Sequence, residues 1–237
     1  MKITKELAYV LGFLWADGWI YKSKSRNEIY SVSTECVYDD LILLEPIFLS
    51  IKDIKWSSHC RSRANRRKQM TISTCNKEFA KFLIDNDYSS KSNFSPTKIL
   101  KLIPKKLKIY FFRGLIDGDG CFYISPNKKC LQFNIGSTFE QDWNSVESFF
   151  NENDIRYTIV KRISKKGHKD SCIRITSKYD IFKLGDILYK NDDKIYLPRK
   201  FEKYKEMIEA SLQIKNPYGP KKIRAKSSNK EYVSKLE

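Results

Sequence analysis

Residues 10–18 read VLGFLWADG and residues 112–120 read FRGLIDGDG. The two stretches align without a gap at a constant offset of 102 positions (17 to 119), matching Gly12 to Gly114, Asp17 to Asp119 and Gly18 to Gly120. A repeat at this distance divides the 237-residue chain into two similar units, and a repeat decides the architecture before any single element does.

The sequence around the two stretches recurs in character. After Asp17, the alternating runs Trp19–Tyr21 and Glu28–Cys36 read as strands, and Tyr38–Ile51 carries apolar residues at helical spacing. Strand-like runs near Ile54–Trp56 and Met70–Thr74 flank a basic turn, Arg61–Lys68, and a helix at Lys77–Asn86 follows. After Asp119 the order returns: strands Cys121–Ser125 and Leu131–Ser137, helix Glu140–Asn151, then strands Arg156–Ile163 and Cys172–Thr176 around the basic turn Ser164–Lys169. Helices at Ile181–Tyr189 and Arg199–Leu212 close the unit. Each half is thus an α+β unit with antiparallel strands. The expected division is 1–100 for the first repeat with its linker, 101–213 for the second repeat and 214–237 for a basic, polar, partly ordered tail. The Ser-, Lys- and Pro-rich stretch Tyr88–Lys108 reads as the connection between halves.

Leu7, Val10, Leu11 and Leu14 fall on one face of a helix, as do Ile109, Phe112, Leu115 and Ile116 in the second copy. Gly12 and Gly114 lie inside these helices, where glycine costs about 1 kcal/mol relative to alanine, so a close approach of two backbones is the role expected of them. Gly18 and Gly120 occupy the position of a helix C-terminal glycine. Asp17 and Asp119 then fall in the last turns, at the negative end of the helix dipole and, if the helices pack, near each other. A hard divalent cation such as Mg²⁺ would relieve both conflicts. Asp-Gly is also a common turn pair, and a single copy would mean little more; two copies, each five residues after a matched glycine, point to metal binding.

Composition narrows the partner. With 45 basic and 28 acidic residues the formal charge is +17, an excess that calls for an anionic partner, nucleic acid first and an anionic membrane surface second. No stretch approaches the ~20 apolar residues of a membrane span, and Met1–Glu6 lacks the layout of a secretory signal. Six scattered cysteines without a CxxC pair argue against zinc and against a disulfide framework, so reduced thiols and an intracellular, non-secreted setting (cytoplasm, nucleoid or organelle matrix) are expected.

The second motif, with its lead-in from Pro104 through Tyr110-Phe111-Phe112-Arg113-Gly114, resembles the signature of the LAGLIDADG homing endonucleases, and the first keeps Gly12, Asp17 and Gly18. Trp15 stands where the second copy has Asp117, so the earlier acidic position is the dispensable one. The resemblance covers roughly residues 5–212 and implies two pseudo-symmetric αββαββα units, joined at the motif helices and carrying saddle-shaped antiparallel sheets that lie in the DNA major groove. It further implies a monomer that cuts both strands of a long asymmetric site in double-stranded DNA. Asp17 and Asp119 would bind the divalent metals, Mg²⁺ foremost, that activate water and stabilise the leaving oxygen. No general-base side chain is then required; His59 and His168 fall in basic turns. The family places a lysine near each active site. Lys200 fits in the second half; in the first, the family's Lys-Ser pattern selects Lys91, whereas the strict offset from Lys200 selects Lys98, and Lys91 is preferred. Thr34 or Ser137 on the second strand would order water or serve as an ordinary sheet residue.

Arg61, Arg63, Arg66, Arg67 and Lys68 recur in place as Lys161, Arg162, Lys165, Lys166 and Lys169. Charge repeated at equivalent hairpins is expected to contact phosphates and bases, with Lys221, Lys222, Arg224 and Lys226 of the tail adding backbone contacts. An RNA-splicing maturase or a non-cleaving DNA-binding protein on the same fold is the alternative; a regulator would carry a helix-turn-helix appendage that the short tail does not offer.

Overall fold

In the computed structural model the described residues are 1–22, 30–61, 67–127, 130–190, 193–213 and 231–235. The first unit runs α1 (Lys5–Asp17), β1 (Gly18–Lys22), β2 (Tyr30–Val37), α2 (Tyr38–Leu49), β3 (Ser57–Arg61), β4 (Gln69–Thr74) and α3 (Lys77–Asp85). After a short helix, α4 (Thr97–Leu102), the second unit repeats the order with α5 (Lys108–Asp119), β5 (Gly120–Ile124), β6 (Leu131–Thr138), α6 (Asn144–Glu152), β7 (Thr158–Ile163), β8 (Lys169–Ile175), α7 (Lys178–Tyr189) and α8 (Pro198–Gln213). The two-unit αββαββα layout expected from the repeat is the observed one.

The sheets order as β1-β2-β4-β3 and β5-β6-β8-β7, each pairing antiparallel. The tail adds one element. Glu231–Lys235 forms a further strand, β9, parallel to β7 with Ile159 opposite Glu231 and Ile163 opposite Lys235, so the second sheet has five strands and is not purely antiparallel. Without β9, β7 would present an edge of unpaired N–H and C=O groups, and the β-formers Tyr232 and Val233 sit at the centre of the covering segment. The rest of the tail, including Lys221, Lys222, Arg224 and Lys226, lies outside the described residues, as do Arg63 and Arg66.

The linker is more than a connection: α4 buries Ile99 and Leu100, and Ile103 follows them into the core. The strand expected near Ile54–Trp56 begins later, at Ser57, because Ile54 and Trp56 are buried as loop anchors instead. Aromatic packing accounts for this: Trp56 meets Phe48 and Phe79 edge-on.

The motif helices are buried all round rather than on one face. From Leu7 to Trp15 every residue of α1 is buried, and α5 is buried from Tyr110 to Asp117. Each helix covers its own sheet and packs along the other helix, so neither has a solvent face until its last turn. Thr4 starts α1 by accepting the Leu7 N–H on its hydroxyl. The glycines set the helix separation. A Cβ on Gly12 would lie 1.9 Å from the Phe111 carbonyl oxygen, and one on Gly114 2.0 Å from the Tyr9 oxygen.

Candidate active site

The two helices end side by side. Ala16 and the Asp17 carboxylate lie against Gly118, where an added Cβ would be 2.4 Å from Ala16 Cβ and 3.2 Å from Asp17 Oδ2. Gly18 and Gly120 terminate the helices as expected, but in extended conformation (φ −88° and −75°) rather than left-handed. Space, not φ, demands glycine there: a Cβ on Gly18 would lie 2.3 Å from the Tyr88 hydroxyl.

Asp17 and Asp119, the last helical residues, are both exposed. The protein around them nevertheless raises both carboxyls. Desolvation raises Asp17, opposed by Lys91, Lys200 and Arg199. Desolvation and then the charge of Asp17 push Asp119 up to about 6. The charge of Asp17 therefore opposes ionisation of Asp119.

Each helix end is capped by a lysine. Lys91 Nζ donates to the carbonyls of Leu14, Trp15 and Ala16 at 3.1, 2.8 and 2.7 Å. Lys200, 8% exposed as a residue, donates its ammonium to the Gly120 carbonyl. Cations belong at helix C-termini, where carbonyls lack intrahelical partners. Burial lowers Lys91 to about 8, against the pull of Asp119 and Asp17, and burial and Arg199 lower Lys200. Lys98, the other first-half candidate, instead pairs with Asp87 on the surface at 2.8 Å. The strict offset misleads because α7 is longer than α3 and a turn follows it; their N-caps, Asn76 and Ser177, are 101 residues apart, whereas Lys91 and Lys200 are separated by 109.

The lysines do not simply pair with the carboxylates of their own units. Lys91 shares a cleft of about 120 Å³ with Asp119, Ser137, Gln141 and Asp142. On the other side, Arg199 reaches from the second unit to Asp40 at 2.6 Å; burial, with the charges of Asp17 and Asp40, raises the Cys36 thiol to about 12 against the opposing charge of Arg199. Thr34 is fully buried, its hydroxyl 3.5 Å from the Asp17 carbonyl, while Ser137 donates to Gln141 at 2.7 Å. Gln141 escapes a reading of the sequence because no repeat or motif marks it.

A second missed group is buried. Asp117 Oδ2 accepts from the Tyr9 hydroxyl at 2.7 Å and the Leu197 N–H at 2.6 Å. Burial pushes its carboxyl up to about 7 despite those bonds. Arg113, with no exposed surface, pairs with Asp193 at 2.8 Å and donates to the Ile195 carbonyl at 2.9 Å. Burial acts to raise Asp193, but the bonds from Tyr110 and Arg113 leave it below the usual carboxylate range. The signal was in the sequence, as an arginine and an aspartate inside an otherwise apolar helix.

The basic residues divide between faces. Residues alternate along a strand, so β7 places Lys161 on the face of its buried partner Ser171 and Arg162 on the opposite face, beside the partly exposed Asp170. Lys161 and Lys169 stand over the Phe139 ring at 5.6 and 5.8 Å, and Arg162 binds Asp170 at 2.7 Å. Lys169 opens β8, so the second turn is confined to Ser164–His168, where Gly167 supplies a positive φ of 77°. Lys165 and Lys166 lie in that turn and are exposed. In the first unit Arg61 ends β3, and Arg67 and Lys68 are exposed just before β4.

No group of three or more His, Cys, Asp or Glu among the described residues could alone hold a metal. Two neighbouring hard carboxylates, both raised in pKa, still fit a divalent cation, provided substrate oxygens and water complete its shell, the usual arrangement for Mg²⁺. At the end of the first helix the Leu14, Trp15 and Ala16 carbonyls already accept from Lys91, which leaves the carboxylate as the group there for a cation.

Solved structures of the same architecture decide the fold. I-WcaI bound to its DNA recognition sequence is similar at a TM-score of 0.59 and 17% identity, over 86% of this chain and 88% of that one. The chain has the LAGLIDADG homing-endonuclease fold. I-DmoI in complex with DNA and Ca matches at a TM-score of 0.56 and 17% identity, over 85% of this chain and 97% of that one. The LAGLIDADG homing endonuclease I-GzeII in complex with its DNA target matches at 0.54 and 14%, over 91% and 94%. No family model matches the sequence, and no curated protein does. Among the described residues, no helix of the LAGLIDADG-fold chain is long and apolar enough to cross a membrane.

Proposed function

We propose that the protein is a monomeric, site-specific DNA endonuclease that hydrolyses both strands with a divalent metal. One observation carries this reading: two exposed carboxylates side by side at the ends of packed helices, both raised in pKa and flanked by cations. Asp17 and Asp119 would hold the metal, Mg²⁺ in the first instance, together with phosphate oxygens. The bound ion supplies activated water and charge stabilisation at the scissile phosphate. Lys91 and Lys200 orient the helix ends and balance charge beside the phosphates. DNA-bound structures of similar fold support the partner.

The solvent faces of the sheets would meet DNA. In the first unit they offer Trp19, Tyr21, Glu35 and Arg61; in the second, Gln132, Asn134, Arg162 and Arg174. Arginine suits guanine and asparagine or glutamine suits adenine. Arg67, Lys68, Lys165 and Lys166 would contact phosphates, and Arg63 and Arg66 are proposed with them. Both carboxylates reside in one chain, so a single copy suffices.

The test is cleavage of a random duplex library with Mg²⁺, with sequencing of the products. A single recurrent site, cut on both strands and lost on chelation, is the expected result. Selective binding without cleavage at any divalent cation would overturn the enzymatic reading in favour of a non-cleaving DNA-binding protein. Sedimentation of the DNA complex should give one protein per duplex.

A further inference from the structure

The two units hold their lysines through one layout built from different chemistry. In each, the residue three positions before the lysine touches the motif residue two positions before the carboxylate. In the first unit this is Tyr88 against Trp15, edge-on at 5.8 Å, with the Tyr88 hydroxyl donating to the Leu14 carbonyl at 2.7 Å. In the second it is the Leu197 N–H on Asp117. Leu197 sits immediately before Pro198, the first residue of α8, and the Lys200 N–H donates back to the Leu197 carbonyl at 2.9 Å.

The turn before α8 is held from several directions. Arg113 grips Asp193 and the Ile195 carbonyl, the Tyr110 hydroxyl donates to Asp193, and Lys194 keeps a left-handed backbone at φ 55°. Non-glycine residues adopt that conformation only where their surroundings impose it. The arrangement is costly. Arg113 Nε and Nη2, Asp117 Oδ1 and the Tyr189 hydroxyl are buried without a hydrogen-bond partner. A core built for stability alone would use apolar side chains, as the first unit does with Leu11 and Trp15 at the equivalent positions.

We propose that Asp117 is a positioning residue, clamping the 193–197 turn to both motif helices and thereby fixing Lys200 on the Gly120 carbonyl. Tyr9 lies on α1, so the clamp also ties Lys200 to the register of the helix pair. The importance of Lys200 rests on the function proposed above, but its placement is measurable without cleavage.

The measurement is lysine acetylation of the full chain, read residue by residue by mass spectrometry, for the wild type, Asp117→Leu and Asp117→Asn. Asparagine keeps an acceptor for Tyr9 and Leu197; leucine does not. In Asp117→Leu the Lys200 labelling rate should rise about tenfold, the factor expected from losing one hydrogen bond to a charged group. Lys91 should be unchanged, and Asp117→Asn should restore Lys200 protection. Unchanged Lys200 labelling in Asp117→Leu, or Lys91 and Lys200 rising together as in general loosening, would overturn the proposal. Failure to cleave DNA would instead count against the enzymatic reading and leave this result standing.

Discussion

The two units solve one problem, holding a lysine at the end of a buried helix, in two ways. The first uses aromatic packing and three carbonyl acceptors around Lys91. The second uses a buried ion pair and a carboxylate that crosses from α5 to the α8 turn and to Tyr9. An apolar support tolerates change in shape and is indifferent to pH. A polar support specifies geometry more tightly, but each unpaired atom costs free energy and the structure becomes sensitive to protonation. Sequence divergence between repeats thus altered the support while leaving the carboxylate and the lysine in place.

The largest effect should come from the feature the units share. Gly12→Ala or Gly114→Ala forces a Cβ to within about 2 Å of a backbone oxygen on the partner helix. Each should destabilise the protein by about 3 kcal/mol or more, measured by denaturant unfolding. Equal losses at the two positions would show that the helix pair is a single element; a small loss at either would break the symmetry that the packing implies.

A smaller effect should separate the units. Asp117 is buried with its pKa raised to about 7, so the folded state binds its proton more tightly than the unfolded chain does. The stability contributed by that proton is fully present below the unfolded value near 4 and is lost as pH rises through about 7. Asp117→Asn should therefore raise stability at pH 8, by about 2 kcal/mol, and change it little at pH 4. Thermal melts across this range would test it, and a substitution effect independent of pH would contradict the protonation account.

The smallest effect concerns the hairpins. Arg61→Ala should flatten the plot of log affinity against log salt by about 0.9 if the arginine meets one phosphate. Lys161→Ala and Lys169→Ala should change it less, since both ammonium groups lie over Phe139. Equal slopes for all three would place Lys161 and Lys169 on the DNA after all.

Much of this was legible in the sequence. Gly12 and Gly114 announced the helix contact, because glycine inside an apolar helix needs a reason, and the repeated Asp-Gly placed both carboxylates. The order of elements followed from periodicity. What periodicity could not give was anything set across units. The fixed offset chose Lys98 because it could not see the longer α7; alternation of faces split Lys161 from Arg162 although both read as hairpin charge. Asp117 looked dispensable because only one motif carries it. Its partners, Tyr9 and Leu197, are 108 and 80 residues away, a distance no local pattern spans. The pairing of β9 with β7 is non-local in the same way.

The central claim is that Asp17 and Asp119 do the chemistry together, and strand-resolved cleavage tests it most directly. A cognate duplex labelled on both strands would be incubated with Mg²⁺ and wild type, Asp17→Asn or Asp119→Asn, with affinity measured separately in Ca²⁺. Neither variant should produce a double-strand break, while each should bind DNA about as tightly as the wild type. Wild-type double-strand cleavage by either variant would contradict the account.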